Sequence, residues 1–214
     1  MASNAVDGFL PSRHGFRFPN RWPHGAARTI KVGRWRIPIG DSGRGLCGGM
    51  IFAARDRFER GEEGSRAAEP PARGTPLFDE IVDRQLASFF FLVVPFRFWL
   101  AAAGGSRRRD RETADVAWPA IRRDIDAGRP AMIGLVRLAT WNPLEPLGHQ
   151  VVGFRYEERA AAITIGVYDP NHPGDDAVEI RVRRGANGGI ELSQSTGEPL
   201  IGLLSLPYVP ARRR

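Results

Sequence analysis

The hydrophobic residues of this chain change period once, between Gly128 and Pro130, and that single switch restricts it to folds in which helices and sheet are kept apart. Before the switch, apolar side chains recur at helical spacing. Met50, Ile51, Ala54 and Phe58 make one such set; Leu77, Phe78, Ile81, Val82, Leu86 and Phe89 with Gln85 a second; Trp118, Ile121 and Ile125, stopped at Gly128, a third. After it, short runs of strand length follow one another. These are Met132 to Leu138, Val151 to Tyr156, Ile163 to Tyr168, Val178 to Val182, Ile190 with Leu192, and Leu200 to Leu206. Gly185-Ala186-Asn187-Gly188-Gly189 has the composition of a hairpin turn. The expected class is α+β, with helices packed on an antiparallel sheet in a single domain over residues 1–214. Residues 1–28 read as an extended arm packed by Phe9, Phe16, Phe18 and Trp22, residues 29–128 as a mainly helical half, and residues 129–210 as the sheet half.

Within the helical half, Thr29 to Ile39 alternates imperfectly, as one strand or two short ones. Gly61 to Pro76 and Gly104 to Arg111 read as loops. Leu86 to Ala103 is long and apolar, but Pro95 and Arg97 interrupt it and no second span accompanies it, so a buried helix ending before Pro95 and then a bend is expected rather than a membrane span.

The formal charge of +7 rests on arginine, for Lys31 is the only lysine. Neither Arg107 to Arg109 with Arg111 nor Arg212 to Arg214 is interleaved with aromatic residues or set in a nucleic-acid-binding motif, so both read as solvated and no nucleic-acid partner is expected. The first residues lack a basic segment followed by an apolar core, which gives a cytoplasmic default; export would need a route independent of such a signal. One cysteine forbids an internal disulfide and a cysteine-rich zinc site.

That cysteine stands in Gly45-Leu46-Cys47-Gly48-Gly49-Met50, at the start of the first helical pattern. There the positive end of the helix dipole and unpaired N–H groups favour thiolate over thiol. The two glycines after it suggest access for a substrate backbone. A thiol nucleophile needs a base, and the base needs a group to hold its ring. Of His14, His24, His149 and His172, only His149 opens an apolar strand, and Asp169 closes the next one. If those two strands form an antiparallel hairpin turning near Glu157 to Ala161, the start of one lies beside the end of the other, and His149 meets Asp169.

Cys47-Gly48, His149-Gln150-Val151-Val152 and Asp169-Pro170, in that chain order, resemble the papain-like cysteine peptidases, nearest in style to the bacterial leader-processing, double-glycine branch. The resemblance covers roughly residues 40–183. It implies a papain-like fold, a Cys47, His149, Asp169 triad, a thioester acyl-enzyme, and a peptide or protein substrate. One position departs from that pattern: six residues before the cysteine such enzymes carry a glutamine that donates to the oxyanion, and here stands Asp41, which as a carboxylate cannot donate. Asn20, Ser42 and Gln150 are then the candidate second donors, and Asn171 the alternative residue for orienting His149. Asp169 to Asp176 imitates the start of a calcium loop but has Pro173 and Ile180 at ligand positions, so no metal and no cofactor are expected. Three functions follow: peptide or amide hydrolysis, deamidation or acyl transfer on the same triad, or a binding module whose oxyanion hole is lost.

Overall fold

The computed structural model describes residues 1–32, 35–90, 92–142, 148–160 and 162–211, with only the backbone course for 30–39. The basic run Arg212 to Arg214, the Pro146-Leu147 pair before His149, and Ala161 in the turn after Arg159 lie outside the described residues.

The N-terminal segment is more structured than an extended arm. Ala2–Ala5 forms strand β1, Pro11–His14 a single helical turn, α1, and residues 1–28 also contain the start of β2, Ala26–Val32. No apolar period marks these pieces, because each is held by contacts distant in sequence. Phe9, Phe16 and Phe18 are at most 2% exposed, and burying one such ring is worth about 1.5–3 kcal/mol. The hydroxyl of Tyr168, itself fully buried, accepts the Phe16 N–H at 3.0 Å.

β2 pairs antiparallel with β3, Trp35–Asp41, so the imperfect alternation is two strands of a hairpin. A 3₁₀ turn at Ser42–Arg44 then leads into α2, Cys47–Glu59, whose Met50 to Ala54 are at most 1% exposed. This helix is buried on more than one face, since α1, α3 and the sheet pack around it. α3 is Pro76–Ser88, opened by Thr75 accepting the Phe78 N–H. α4 is Val93–Ala103, meeting α3 at 61°. Pro95 falls in the first turn of α4, where its missing N–H costs no helical hydrogen bond. Among the described residues no single helix is long and apolar enough to cross a membrane.

The expected loop from Gly104 to Arg111 is instead largely helical, and this corrects the sequence reading. α5, Ser106–Arg111, continues through a π-helical turn at Glu112–Ala117 into α6, Trp118–Asp126. Charged residues with no apolar period still form helix once the ends are tied. Arg109 donates to the Gly104 carbonyl at the end of α4, and Arg97 joins Glu112 at 3.0 Å to the Ser205 carbonyl at 2.8 Å.

The sheet is built from β4 (Ala131–Val136), β5 (Gly148–Arg159), β6 (Ala162–Tyr168), β7 (Glu179–Arg184), β8 (Ile190–Gln194) and β9 (Gly202–Ser205), in spatial order β8-β7-β6-β5-β4-β9 and antiparallel throughout. β1 adds to β5 over Arg155 to Glu158, beyond the Ala131–Gly153 pair where β4 stops. Helices and antiparallel sheet are thus segregated, an α+β architecture. The Gly185 to Gly189 turn closes the β7–β8 hairpin, with Gly185 N–H donating to the Gly189 carbonyl at 2.9 Å. The packing of α2 on β5 carries the N-terminal end of the helix to the start of that strand, which is where the site lies.

Candidate active site

Cys47 is the first residue of α2 and is partly exposed. The helix has no side-chain N-cap, so its orphan N–H groups must find partners elsewhere. Leu46 N–H donates to Asn20 Oδ1 at 2.6 Å, and Gly49 N–H to Gln85 Oε1 at 2.8 Å. Gly48 N–H and, from β5, Gln150 N–H point at the Cys47 sulfur. Among the described residues the Cys47 N–H itself has no partner.

The two glycines have a different cause from the one the sequence suggests. A Cβ at Gly49 would stand 2.1 Å from the Ile81 carbonyl oxygen, and one at Gly48 would stand 2.2 Å from Ser88 Oγ. Their bareness lets α3 close on α2, so access to substrate is not what requires them. Gly45 is also constrained: its φ of +86° favours glycine, and a Cβ there would meet Asn20 Nδ2 at 2.7 Å.

His149 reaches the site because it is the second residue of β5 and pairs with Leu135 of β4. Its Nε2 lies 2.6 Å from Asp169 Oδ1, and the ring is electrostatically coupled to the Cys47 sulfur, which leaves Nδ1 to face it. Asp169 immediately follows β6 and is fully buried. The β5–β6 pairing, Val152 opposite Tyr168, thus puts the strand start beside the strand end.

Asp169 accepts on both oxygens. Oδ1 also takes the Asn171 N–H at 2.9 Å, and Oδ2 takes Gln194 Nε2 at 2.7 Å. Asn171 therefore contributes a backbone donor to the aspartate, and its side chain accepts from Asn20 Nδ2 at 3.2 Å; no contact with His149 is made.

The electrostatics follow from this packing. Burial opposes charge on all three groups, but each is charged by the others. Against burial, His149 and the donated N–H groups hold Cys47 below the ordinary thiol range; against burial, Asp169 and Cys47 raise His149 to about 10; and against burial, His149, Asn171 and Gln194 hold Asp169 at about 2. The favoured state at neutral pH is thiolate, imidazolium and carboxylate.

The remaining candidates separate. Ser42 is fully buried and its hydroxyl donates to the Pro23 and Gly25 carbonyls at 3.1 and 3.2 Å while accepting from Arg73 at 2.8 Å, so it has no proton left for an oxyanion. Gln150 places its N–H on the thiolate, and its side chain is buried with Oε1 unpartnered. Asn20 is clamped beside the head of α2, its Oδ1 accepting from Leu46 N–H and its own N–H donating to the Pro170 carbonyl at 2.9 Å, with one Nδ2 hydrogen uncommitted among the described residues. Asp41 accepts from Gly25 N–H and Gly43 N–H, each at 2.9 Å, with His24 Nδ1 at 2.9 Å, so its carboxylate is held below the ordinary range as the cap of the corner before α2. It takes no part in the thiol's surroundings.

A cleft of about 740 Å³ opens beside Cys47, walled by Phe89, Val94, Phe98 and Trp99 and bordered by Gln150 and Arg44. No group of three or more His, Cys, Asp or Glu among the described residues could hold a metal ion. Two residues of the site escaped sequence reasoning: Gln85, hidden among apolar positions of its own helix, and Gln194. For the latter a signal existed, since the alternation of Ile190 and Leu192 leads inward to a glutamine. No protein-family model, no curated protein and no solved structure matches this chain.

Proposed function

We propose that this protein is a papain-like thiol hydrolase that cleaves a peptide or amide bond through Cys47, His149 and Asp169. The observation that carries the reading is that one imidazole is held at 2.6 Å by a buried carboxylate and turns its other nitrogen to the thiol at the head of α2. In the proposed cycle the Cys47 thiolate attacks the scissile carbonyl carbon. The oxygen that becomes negative is met by the unpartnered Cys47 N–H and by the free Nδ2 hydrogen of Asn20. His149 Nδ1 gives its proton to the leaving amine, and a thioester remains on Cys47. Water then attacks the thioester, with His149 taking its proton, and the product acid leaves. The apolar walls of the cleft suit a side chain of the substrate rather than a charged group.

Deamidation and acyl transfer use the same thioester and differ only in which amine leaves or which nucleophile enters. A binding module whose oxyanion hole is lost is the other reading; against it stands the second Nδ2 hydrogen of Asn20, which supports a donor in place of the missing glutamine. The test is labelling by an epoxide probe with peptide mapping, in the wild type and in His149→Ala. Rapid modification of Cys47 that collapses in His149→Ala is the expected result. Equal, slow labelling of both proteins would refute the hydrolase reading.

A further inference from the structure

We propose that Gln194 is a positioning residue for this site: its amide fixes the Asp169 carboxylate, and through it the protonated ring of His149. The inference rests on the thiol-hydrolase reading and adds to it a group from β8, the strand at one edge of the sheet.

The geometry is specific. Gln194 is 5% exposed and Asp169 fully buried, so no solvent can replace the bond from Gln194 Nε2 to Asp169 Oδ2 at 2.7 Å. His149 and the Asn171 N–H both use the other oxygen, which leaves Gln194 as the partner of Oδ2 among the described residues. The amide has one tolerable orientation while Asp169 is ionised, for reversing it would set two acceptor oxygens against each other.

The second observation is a cost. Gln194 Oε1 is buried with no hydrogen-bond partner among the described residues. A buried orphan of that kind disfavours the folded state, whereas a leucine, like Leu192 two residues earlier on the strand, would fill an inward position without one. Packing alone therefore does not explain an amide here. Holding a buried carboxylate does, since a charge-assisted hydrogen bond exceeds a neutral one in strength.

The titratable and charged groups around the pair come from several elements. Cys47 comes from α2, His149 from β5, Tyr168 from the end of β6 and Arg137 from just beyond β4, with Glu198 near Arg137. The Arg137 guanidinium donates to the Pro199 carbonyl at 3.0 Å and forms no ion pair with Asp169, so it does not duplicate the contact of Gln194.

The sign of the effect follows. Without Gln194 the Asp169 carboxylate, still ionised where His149 titrates, is free to rotate away from the ring, so the 2.6 Å contact loosens and His149 loses its proton at lower pH. The experiment is the pH profile of Cys47 alkylation by iodoacetate, an anionic probe whose rate needs the thiolate and falls when the adjacent imidazolium is lost, in wild type, Gln194→Leu and Gln194→Glu. In Gln194→Leu the alkaline limb should move down by about one pH unit, the worth of one hydrogen bond to a charge. In Gln194→Glu the new carboxyl, buried against the Asp169 carboxylate, stays protonated and donates in place of the amide, so the profile should match wild type. An alkaline limb in Gln194→Leu superposable on wild type, whatever its melting temperature, overturns the positioning role and leaves the triad standing. Should Gln194→Leu not fold, the same comparison is made with Gln194→Met, where an alkaline limb superposable on wild type overturns it equally. A wild-type Cys47 that titrates as an ordinary thiol removes both the triad and this role.

Discussion

Asp169 and Asn171 sit two residues apart, yet only the first touches His149, and the reason is where the strand ends. Asp169 follows β6 directly and is enclosed; Asn171 lies past Pro170 on the surface and serves through its backbone N–H. Asp169→Asn keeps an acceptor for the ring but removes the charge that retains its proton. Turnover, or the rate of Cys47 labelling, should fall about a hundredfold or more. Asn171→Ala keeps the N–H and should stay within about threefold, by loss of a half-exposed side-chain contact only. The reverse ranking would require Asn171 to be the orienting group. The same residues set the response to pH. The depressed Asp169 contributes stability above its unfolded value of about 3.9 that is lost as pH falls through about 2, and the raised His149 contributes below about 6.5 and is lost as pH rises through about 10. Denaturation midpoints measured across pH should therefore decline on the alkaline side up to about 10, and His149→Ala should flatten that decline.

At the scale of elements, the pairing of α2 with α3 depends on two missing methyl groups. Gly49→Ala drives a Cβ into a backbone carbonyl that cannot rotate away and should destabilise by about 1–3 kcal/mol or more. Gly48→Ala meets a serine side chain and should cost less, because Ser88 has other rotamers. Urea denaturation compares the two, and equal midpoints would contradict the helix-packing account. These glycines also show where reading a sequence stops. Their position beside a thiol invited an explanation from chemistry, whereas the cause is a helix some thirty residues on. His149 and Asp169 were legible because hairpin logic relates strand ends that are near in sequence. The roles of Gln85 and Gln194 were not, since each reaches the site from an element whose neighbours in space the local pattern does not name, although the alternation along β8 does turn Gln194 inward. Loop and helix were confused at Ser106–Arg111 for a similar reason: the carbonyls that anchor its arginines carry no sequence signal.

Across the whole molecule, the N-terminal segment stitches the two halves together at the site. Asn20 bonds Leu46 at the head of α2 and the Pro170 and Asn171 region beyond β6, while Asp176 accepts from both the N–H and the hydroxyl of Ser12 at 2.8 and 2.7 Å. Asn20→Asp keeps the acceptor for Leu46 N–H and loses the donor. Labelled turnover should drop about a hundredfold or more with the melting temperature little changed, whereas Asn20→Ala should lower both. Full activity in Asn20→Asp would remove Asn20 from the oxyanion hole. The stitching also has a consequence for synthesis on the ribosome. The nucleophile emerges early, but its base, its carboxylate and the amide behind that carboxylate come from β5, the end of β6 and β8 in turn. A growing chain thus displays only a sluggish, solvated thiol among other nascent peptides, and its reactivity is switched on when the last strands close the sheet.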